Sequence, residues 1–502
     1  AGCPFGSVVK VLNNASELKD EINNTIDLFD LRNSFSSGIK KELKILEAEV
    51  KTSEIKLRRD FRKEITFTID PNDAKDFDDA LSISFLPNNK FSIGIHIADV
   101  AHYIKANSEI DKEAFLRAFS IYFPGKVIPM LPEKLSNLIC SLRPNEDKLC
   151  FSVVVEFDSK LSQSEKVWFG KGVINSNHRF TYEDVESILN TRKGLFFEEL
   201  DLMNRLAAKL RMNRMKKGSI NFDRTNTSFE LNNDCEPIKI LKREPLKSHK
   251  LVEEFMLLAN KQVAKKLQKC IYRVHDLPNK DALKEVAIYL KNSKIKGVQL
   301  DVKSRLLSSR INKLLKNPNV NQAVFQNLIL RAMSKANYSI KNIGHYGLGF
   351  EEYTHFTSPI RRYADLLTHR FLYMSIENQK YTVSDLKQSC DHFSTKERLY
   401  IDVERSIDKF VKLKLLEKSV GKVFDGMITG LVKWGIYVEL EGGIAEGMVS
   451  SKKLKDGNYY YNENLRSFIE RKSGKKYMLG QSLVVEISDI NLLKKEMDLN
   501  IV

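Results

Sequence analysis

Five aspartates lie within ten residues of one another early in this chain, in the segment TIDPNDAKDFDDALSI of residues 68–83. Carboxylates this close repel one another, so a fold that brings them together requires cations there, and clustered oxygen ligands suit Mg²⁺ or Mn²⁺. The whole chain nevertheless carries a net charge of +16. A hard divalent metal inside a basic protein favours phosphodiester chemistry on a nucleic acid.

An exposed acidic turn and a calcium-binding loop are the alternatives for this segment. An EF-hand loop starting at Asp70 would need glycine at Lys75 and a side-chain oxygen at Ala74, and a loop starting at Asp76 fails at Ala80. These mismatches exclude the calcium loop and leave the exposed turn open.

The segments after the aspartates alternate apolar and polar residues with the period of β-strands, over residues 82–85 and again over residues 92–97. The acidic run therefore leads into a sheet, whose rigid strands would hold its oxygens in place. Further along, residues 250–267 carry apolar side chains at helical spacing among charged ones, as does the run 324–338. This pattern predicts amphipathic helices on a core.

Length and composition bound the class of protein. At 502 residues the chain is long enough for about three domains, with an ordinary 42% of hydrophobic residues. Lys and Arg number 81 against 65 Asp and Glu, so an acidic polymer is the expected partner. The lack of a long apolar run and of a signal-peptide pattern argues against membrane insertion and secretion and favours the cytoplasm. The scattered cysteines are expected to be reduced thiols, and no phosphate-binding loop indicates a nucleoside triphosphate.

Changes in residue pattern divide the chain into three regions, and the predicted fold class is α+β. Residues 1–55 contain a strand-like piece at residues 6–12 and look too small for an independent core. Residues 56–415 open with strands, become helix-rich and form a large mixed α/β domain. Residues 416–502 show short apolar runs punctuated by glycine, which is typical of a small β-barrel.

Local rules predict a helix start within HYGLGFEEYTHFTSPIRRYADLLTHRF, residues 345–371. Ser358 is a good N-cap, and Pro359 fits the first helical position. Arg361 and Arg362 would then stand in the first turn, where free backbone N–H groups, the positive end of the helix dipole and guanidinium groups face one anion. The alternative is that both arginines pair with surface carboxylates such as Asp365.

Aromatic residues in two places are candidates for stacking on nucleobases. Tyr122 stands in SIYFPGKVIPMLPEKL, whose prolines and glycine impose a stiff, irregular path that would present the ring. Phe424, Trp434 and Tyr437 stand among lysines, as in a stacking platform with a cationic edge. Ordinary packing is the alternative for Tyr122, and at least one of the other three is expected in the core of the barrel.

Six stretches of the middle region carry a longer pattern: FTIDPNDAKDFDDAL, GIHIADVAHYI, SIYFPGKVIPMLPEKLSN, HKLVEEFMLLAN, YRVHDLP and YTHFTSPIRRYADLLTHR. In this order they resemble the RNase II/RNase R family of exoribonucleases, with the RNase R branch the closer match. The resemblance implies an RNB catalytic domain in residues 56–415 and an S1-type RNA-binding domain of OB fold in residues 416–502. Residues 1–55 resemble the end of a cold-shock barrel, which is also an OB fold.

The resemblance further implies processive hydrolysis of RNA from single-stranded 3′ ends, yielding nucleoside 5′-monophosphates with Mg²⁺, or Mn²⁺ as a substitute, in RNA turnover and quality control. The implied metal ligands are Asp70, Asp76 and Asp79. The implied catalytic residues are Asp76, Asp78, which would be indispensable to the chemical step, and Arg361. Taken with the patterns above, the predicted substrate contacts are Tyr122, Arg362, Phe222, Glu404, Phe424, Trp434 and Tyr437. We expect a monomer.

The chain departs from the family pattern at three positions. Leu138 replaces a common glycine and Phe119 a common threonine, so the loop near Tyr122 is expected to be reshaped. In the barrel, Ser450 replaces a common histidine, which weakens the case for an RNA contact there. Two other functions stay open, a non-catalytic RNA-binding protein that keeps the fold and an endonuclease of another metal class, although the complete set of matched aspartates argues against the first.

Overall fold

A seven-stranded sheet forms the centre of the computed structural model, which describes residues 16–502 except 223–225, 296, 303, 305, 383–385, 455–458 and 464. The sheet has the order β1-β8-β7-β4-β3-β2-β9, in which the β1–β8 and β2–β9 pairs are parallel and the others antiparallel. A separate hairpin contains β5 and β6. The strands are β1 Arg59–Asp60, β2 Ile65–Asp70, β3 Asp79–Leu86, β4 Lys90–Ala98, β5 Ile121–Phe123, β6 Lys126–Ile128, β7 Asp147–Phe157, β8 Gln163–Asn175 and β9 His178–Thr181.

The strands predicted on either side of residue 87 are confirmed as β3 and β4. Ile83, Ile93 and Ile95 are fully or almost fully buried, as the apolar face of the alternation requires. β2 ends at Asp70 and its antiparallel neighbour β3 begins at Asp79. The acidic segment is therefore the connection between two adjacent central strands, and its first and last carboxylates lie at the same edge of the sheet.

Helices pack against this sheet and against one another. They are α1 Leu18–Leu28, α2 Ser37–Ile45, α3 Thr52–Lys56, α4 Val100–Tyr103, α5 Glu109–Arg117, α6 Tyr182–Thr191, α7 Phe197–Lys216, α8 Lys247–Leu267, α9 Lys280–Asn292, α10 Leu307–Leu314, α11 Gln322–Ala332, α12 Tyr363–Ile376 and α13 Lys387–Leu416. The helix predicted at residues 250–267 is α8, which buries Leu251, Phe255 and Val263 completely. The helix predicted at residues 324–338 is α11, but it ends at Ala332, and residues 337–339 form the strand β13 instead. Across the part of the chain that the structure describes, no helix combines the length and apolar character needed to span a bilayer.

The predicted helix start at Ser358 is wrong by about one turn, because α12 begins at Tyr363. The backbone at Arg362 is extended, with φ −137° and ψ 121°, since this segment pairs with residues 118–120. Ser120 donates its N–H to the Arg361 carbonyl at 3.1 Å, and Tyr363 donates its N–H to Ala118 at 2.9 Å. This tertiary pairing overrides the local capping signal, so neither arginine stands inside the first helical turn.

The amino-terminal segment, from residue 16 to residue 57, is helical and packs on the region of the central sheet rather than forming a core of its own. Leu18, Ile22 and Ile39 are buried in the same hydrophobic cluster as the central strands. Leu18 donates its N–H to Glu236 at 2.8 Å, and Glu21 accepts from Lys495 of the carboxy-terminal region at 2.7 Å. The strand-like piece at residues 6–12 lies outside the described residues, so the cold-shock remnant stays a prediction.

The carboxy-terminal region contains the predicted small barrel. Five strands close it in the order β14-β15-β16-β21-β20, a strand number that fits an OB fold. A three-stranded sheet of β17–β19 is inserted between β16 and β20. The remaining strands are β10 Asn226–Leu231, β11 Pro237–Arg243, β12 Tyr272–Val274, β13 Asn337–Ser339, β14 Val423–Val432, β15 Gly435–Leu440, β16 Glu446–Ser450, β17 Tyr459–Asn462, β18 Ser467–Glu470, β19 Lys476–Tyr477, β20 Ser482–Asn491 and β21 Glu496–Ile501. The exact domain boundaries stay predictions.

We predict that Arg117→Met lowers the free energy of unfolding by about 3 kcal/mol, because it removes a buried charge that three acceptors surround. The Arg117 guanidinium, 2% exposed, donates to Glu113, to the Pro129 carbonyl and to the Ser34 carbonyl, which fastens the amino-terminal segment to α5. Urea denaturation followed by circular dichroism measures the change. Lys112→Met on the same helix is the control, since its ion pair with Glu109 is exposed and should leave the midpoint in place; equal effects of the two variants would contradict the role given to Arg117.

Candidate active site

Backbone hydrogen bonds hold the acidic segment rigidly between β2 and β3. Phe77 donates its N–H to the Ser141 hydroxyl at 3.0 Å, and the same hydroxyl donates to the Lys75 carbonyl at 2.8 Å. The Asp78 carbonyl accepts from Ala98 of β4 at 2.9 Å. The segment is therefore not a free acidic turn, because its second half is fixed to the sheet and to the segment around Ser141.

Asp78 joins this segment to the turn before α12, which lies 282 residues further along the chain. Its Oδ1 accepts the Ile360 N–H at 2.9 Å, and its Oδ2 lies 3.4 Å from Nε of Arg361. The side chain is almost completely buried. Burial raises the pKa of Asp78 to about 8, against the opposing effect of the Arg361 charge. The carboxylate thus orients the turn that carries Arg361.

Arg361 reaches the acidic segment while much of its side chain stays accessible. Its guanidinium donates one hydrogen bond to the Ser358 hydroxyl at 3.0 Å, and the side chain is 45% exposed. The positive charge opposes the burial that raises the pKa of Asp79 as well as that of Asp78. The structure therefore brings together the predicted catalytic arginine and the predicted catalytic aspartate, with guanidinium N–H groups left to face solvent.

Arg362 is used internally, although we predicted a substrate contact for it. Its guanidinium donates twice to Asp365, at 2.8 Å each, and the Asp365 side chain is completely buried. Asp365 also accepts the Ser358 N–H at 2.8 Å. Arg362 therefore pairs with Asp365, which was the alternative to a substrate contact, although Asp365 is buried and not on the surface. We do not assign Arg362 to the substrate.

Asp70 and Asp79 face each other across the ends of β2 and β3. Burial raises the pKa of each carboxyl, and the charge of Asp70 raises that of Asp79 further. Oδ2 of Asp70 is buried without a hydrogen-bond partner. Among the described residues, no three side chains of His, Cys, Asp and Glu are grouped closely enough to hold an ion as they stand. The orphaned oxygen and the all-carboxylate donor set nevertheless fit a hard cation such as Mg²⁺.

Tyr122 links the acidic segment to α13. Its hydroxyl donates to Oδ2 of Asp76 at 3.3 Å, and its backbone N–H donates to Oε1 of Glu404 at 2.8 Å. Tyr122 as a residue is 41% exposed, so part of it stays accessible to a ligand, and its stacking role stays a prediction. Glu404, predicted as a substrate contact, is seen to position the strand that carries Tyr122.

The four other predicted substrate contacts lie on separate elements and stay predictions. Phe222 packs against the hydrophobic cluster of α9, α10 and α11. Phe424 packs against the core of the barrel, as expected for at least one of its aromatics. Trp434 is 62% exposed at the turn between β14 and β15, whereas Tyr437 of β15 lies beside Gly430 and is half-buried.

Two residues beside the aspartates were missed by sequence reasoning. Arg179 of β9 donates to the Pro71 carbonyl, and its charge lowers the pKa of Asp70. Tyr182 opens α6 and stacks on His249 of α8, with ring centroids 4.0 Å apart; the Asp79 and Asp70 charges add to the burial that raises its pKa. The signal that could have found them is the parallel pairing of β9 with β2, which a local pattern does not show.

Comparison with known proteins agrees with this geometry. The family model of the RNB domain matches residues 58–378. Ribonuclease R of Aquifex aeolicus (strain VF5) is 35% identical over 497 residues, which cover 96% of this chain and 70% of that protein. The chain belongs to the RNB domain family. The family that we predicted from the sequence is thus confirmed.

Two solved structures have folds similar to that of this chain. Mycoplasma genitalium RNase R in complex with ribose methylated single-stranded RNA matches with a TM-score of 0.92 at 29% identity, over 99% of this chain and 80% of that one. Yeast Ssd1, a pseudonuclease, matches with a TM-score of 0.70 at 18% identity, over 90% of this chain and 58% of that one. The second likeness shows the fold alone.

We predict that Mg²⁺ raises the thermal midpoint of this protein and that the rise is larger at pH 8.5 than at pH 6. Raised carboxyl pKa values mean that, without a cation, stability is lost as pH increases from about 4 towards 8, and Mg²⁺ binds the deprotonated form that then predominates. Differential scanning fluorimetry with Mg²⁺ or EDTA measures the shift. Asp79→Asn should lose most of it, whereas Asp73→Asn, at an exposed position of the same segment, should keep it. A Mg²⁺ shift of equal size in both variants would count against a site at Asp79.

We predict that Arg179→Met raises the Mg²⁺ concentration needed for half-maximal RNA hydrolysis about tenfold, a change equivalent to about 1.4 kcal/mol. The variant removes the hydrogen bond to Pro71 and the positive charge beside Asp70, so the acidic segment becomes looser. Rates measured over a series of Mg²⁺ concentrations test this. Arg192→Met, at an exposed position after α6, should keep the Mg²⁺ dependence of the unmodified protein; a change in maximal rate alone would assign Arg179 another role.

Proposed function

We propose that this exoribonuclease degrades single-stranded RNA processively from its 3′ end by Mg²⁺-dependent hydrolysis and releases nucleoside 5′-monophosphates. The observation that carries the proposal is the contact of Asp78 with the Ile360–Arg361 turn across 282 residues of chain. This contact holds an accessible guanidinium next to Asp78 and close enough to Asp79 for its charge to act on that carboxyl. Anionic metal ligands and a cationic phosphate partner in one place suit the hydrolysis of a phosphodiester.

Asp70, Asp76 and Asp79 would hold Mg²⁺, with Mn²⁺ as a substitute. Bound there, the metal would acidify a water and stabilise charge on the phosphate and the leaving oxygen. The orphaned Oδ2 of Asp70 supplies a buried oxygen for it. Asp78 is given a different role from these three, because both of its oxygens already face Ile360 and Arg361. Its contribution to the chemical step is to orient Arg361 on the scissile phosphate.

Tyr122 would stack on the terminal base. Its hydroxyl is bonded to Asp76, so a base resting on this ring would bring its phosphate to the carboxylates. Glu404 holds the backbone of Tyr122 and thereby fixes the plane of the ring. Phe222 and the barrel aromatics Phe424, Trp434 and Tyr437 would contact the RNA on the 5′ side of the site. Sequence would matter little, because stacking and backbone contacts accept every base, whereas 2′-hydroxyl contacts would select RNA over DNA.

Two observations separate this proposal from a non-catalytic RNA-binding protein. The predicted aspartates are all present and attached to a rigid segment. Arg361 is oriented towards them by Asp78 and keeps 45% of its side chain exposed, whereas Arg362 donates twice to the buried Asp365 and is 18% exposed. An endonuclease is not favoured by any contact in the described residues. We further propose action as a cytoplasmic monomer in RNA turnover and quality control, without a nucleoside triphosphate.

We expect the chain to convert 5′-labelled single-stranded RNA into short labelled end products without a ladder of intermediates, and 3′-labelled RNA into labelled mononucleotides. Asp78→Asn keeps an oxygen for the Ile360 N–H but removes the charge that orients Arg361, so the rate should fall by about a hundredfold or more. Denaturing gels and thin-layer chromatography with Mg²⁺ or EDTA measure both. Asp73→Asn is the matched control and should hydrolyse at the unmodified rate. Internal fragments would indicate an endonuclease, and an undiminished rate in Asp78→Asn would refute the proposed site.

A further inference from the structure

A cavity of about 260 Å³ lies between α7, α8 and the tip of the β7–β8 hairpin, apart from the aspartates. Its floor is apolar and consists of Leu210, Leu257 and Leu258, of which the last two are buried. The ring of Phe350 forms one wall. Small-molecule sites are concave and mostly apolar with a few polar groups at fixed places, and their usual volume begins at about 300 Å³. At about 260 Å³ the cavity lies just below this range, so it encloses a small ligand only in part and has no room for a polymer.

The charges around this cavity are positive and are not balanced by the carboxylate that lines it. Glu254 is bound by Arg214, which also donates to Ser219 at 2.7 Å, so these two groups neutralise each other. Lys217 and Lys261 line the cavity as well. The Lys261 ammonium lies over the Phe350 ring, 5.7 Å from its centroid. Lys209 also lines the cavity but donates to the Lys160 carbonyl, so the lining offers Lys217 and Lys261 to a ligand, beside an aromatic face and an apolar floor.

A nearby anion would stabilise the charged form of Lys261 in its present environment. Burial lowers its pKa, and the charges of Lys217 and Lys265 lower it further, against the opposing effects of Glu351 and Glu352. A negatively charged group between Lys217 and Lys261 would compensate both the burial and the repulsion.

The position of Lys261 on α8 separates this cavity from the candidate active site. His249 stacks on Tyr182 beside the aspartates, and Asn260 donates to the Tyr353 hydroxyl at 3.0 Å. These two residues share one face of the helix, because eleven residues make about three turns, and Lys261 lies about 100° further round. The cavity is nevertheless connected to the segment before Arg361, since the Phe350 ring contacts that of Tyr353 with centroids 5.6 Å apart.

We propose that this cavity binds a nucleoside 5′-monophosphate, with the phosphate between Lys217 and Lys261 and the base against Phe350 and the leucine floor. A flat apolar ring and an anion in one small molecule match the two halves of the lining. The choice of a mononucleotide rests on the proposed function, because hydrolysis of RNA releases that compound. The occupant would contact Phe350, at the start of the segment that leads to Arg361.

Calorimetric titration of the full chain in EDTA tests the proposal with adenosine 5′-monophosphate, adenosine and inorganic phosphate as probes. The monophosphate should bind, and adenosine and phosphate should each bind at least about tenfold more weakly, since each fills one half of the lining. The double variant Lys217→Gln/Lys261→Gln should weaken monophosphate binding at least about tenfold. The matched control Lys216→Gln/Lys265→Gln removes the same charge from the same two helices and should bind as the unmodified chain does.

Three results would overturn the proposal. Equal affinity for the monophosphate in the unmodified chain and in Lys217→Gln/Lys261→Gln would place the nucleotide elsewhere, for example at the aspartates. Equal losses in both double variants would show an unspecific charge effect, and equal affinities for phosphate and monophosphate would show a site for phosphate only. RNA hydrolysis is measured separately with Mg²⁺, and Lys217→Gln/Lys261→Gln should retain it. A chain that hydrolyses no RNA would refute the proposed function, while the titration would still decide what the cavity binds.

Discussion

The bond between the Asp78 carboxylate and the turn of Ile360 and Arg361 is the contact on which the candidate site depends. It connects the end of a central sheet to a segment 282 residues away. One oxygen accepts a backbone N–H and the other faces a guanidinium, so the carboxylate fixes both the backbone of the turn and the position of its charged side chain. The guanidinium of Arg361 also donates to the Ser358 hydroxyl of its own turn, but Asp78 is the carboxylate of the acidic segment with which it forms an ion pair. Burial makes this arrangement unfavourable for a bare anion, as the raised pKa of Asp78 shows.

The cost of burying a charged carboxylate also explains why the aspartates of the acidic segment have different roles. Asp78 and Asp76 have hydrogen-bond donors, whereas Asp70 retains a buried oxygen without one. A protein tolerates such a group only where something else compensates it. A divalent cation would do so for Asp70 and Asp79 together. One ion would therefore serve both stability and the proposed catalysis. The acidic segment lowers the stability of the protein when no cation is bound, and the proposed reaction requires the same segment.

Sequence reasoning found the acidic segment, the strands after it, the helix at Lys247–Leu267 and the carboxy-terminal barrel, because each has a period or a spacing that local physics produces. It also paired Arg361 with the aspartates, although only through resemblance to a family. It placed the start of α12 too early and gave Arg362 to the substrate, since pairing with residues 118–120 and the buried Asp365 are not visible in a local pattern. Arg179 and Tyr182 were missed for the same reason, because β9 pairs with β2 from more than 100 residues away.

The amino-terminal segment from residue 16 to residue 57 is attached to three separate parts of the molecule. It hydrogen-bonds to Glu236 of β10–β11, to Arg117 of α5 and to Lys495 of the barrel. A chimera that exchanges upstream sequence should therefore be joined before Leu18. A junction between Leu31 and Arg58 would discard these attachments and free the barrel from one of its tethers, so a graft there would alter the architecture of the recipient and not merely add a module to it.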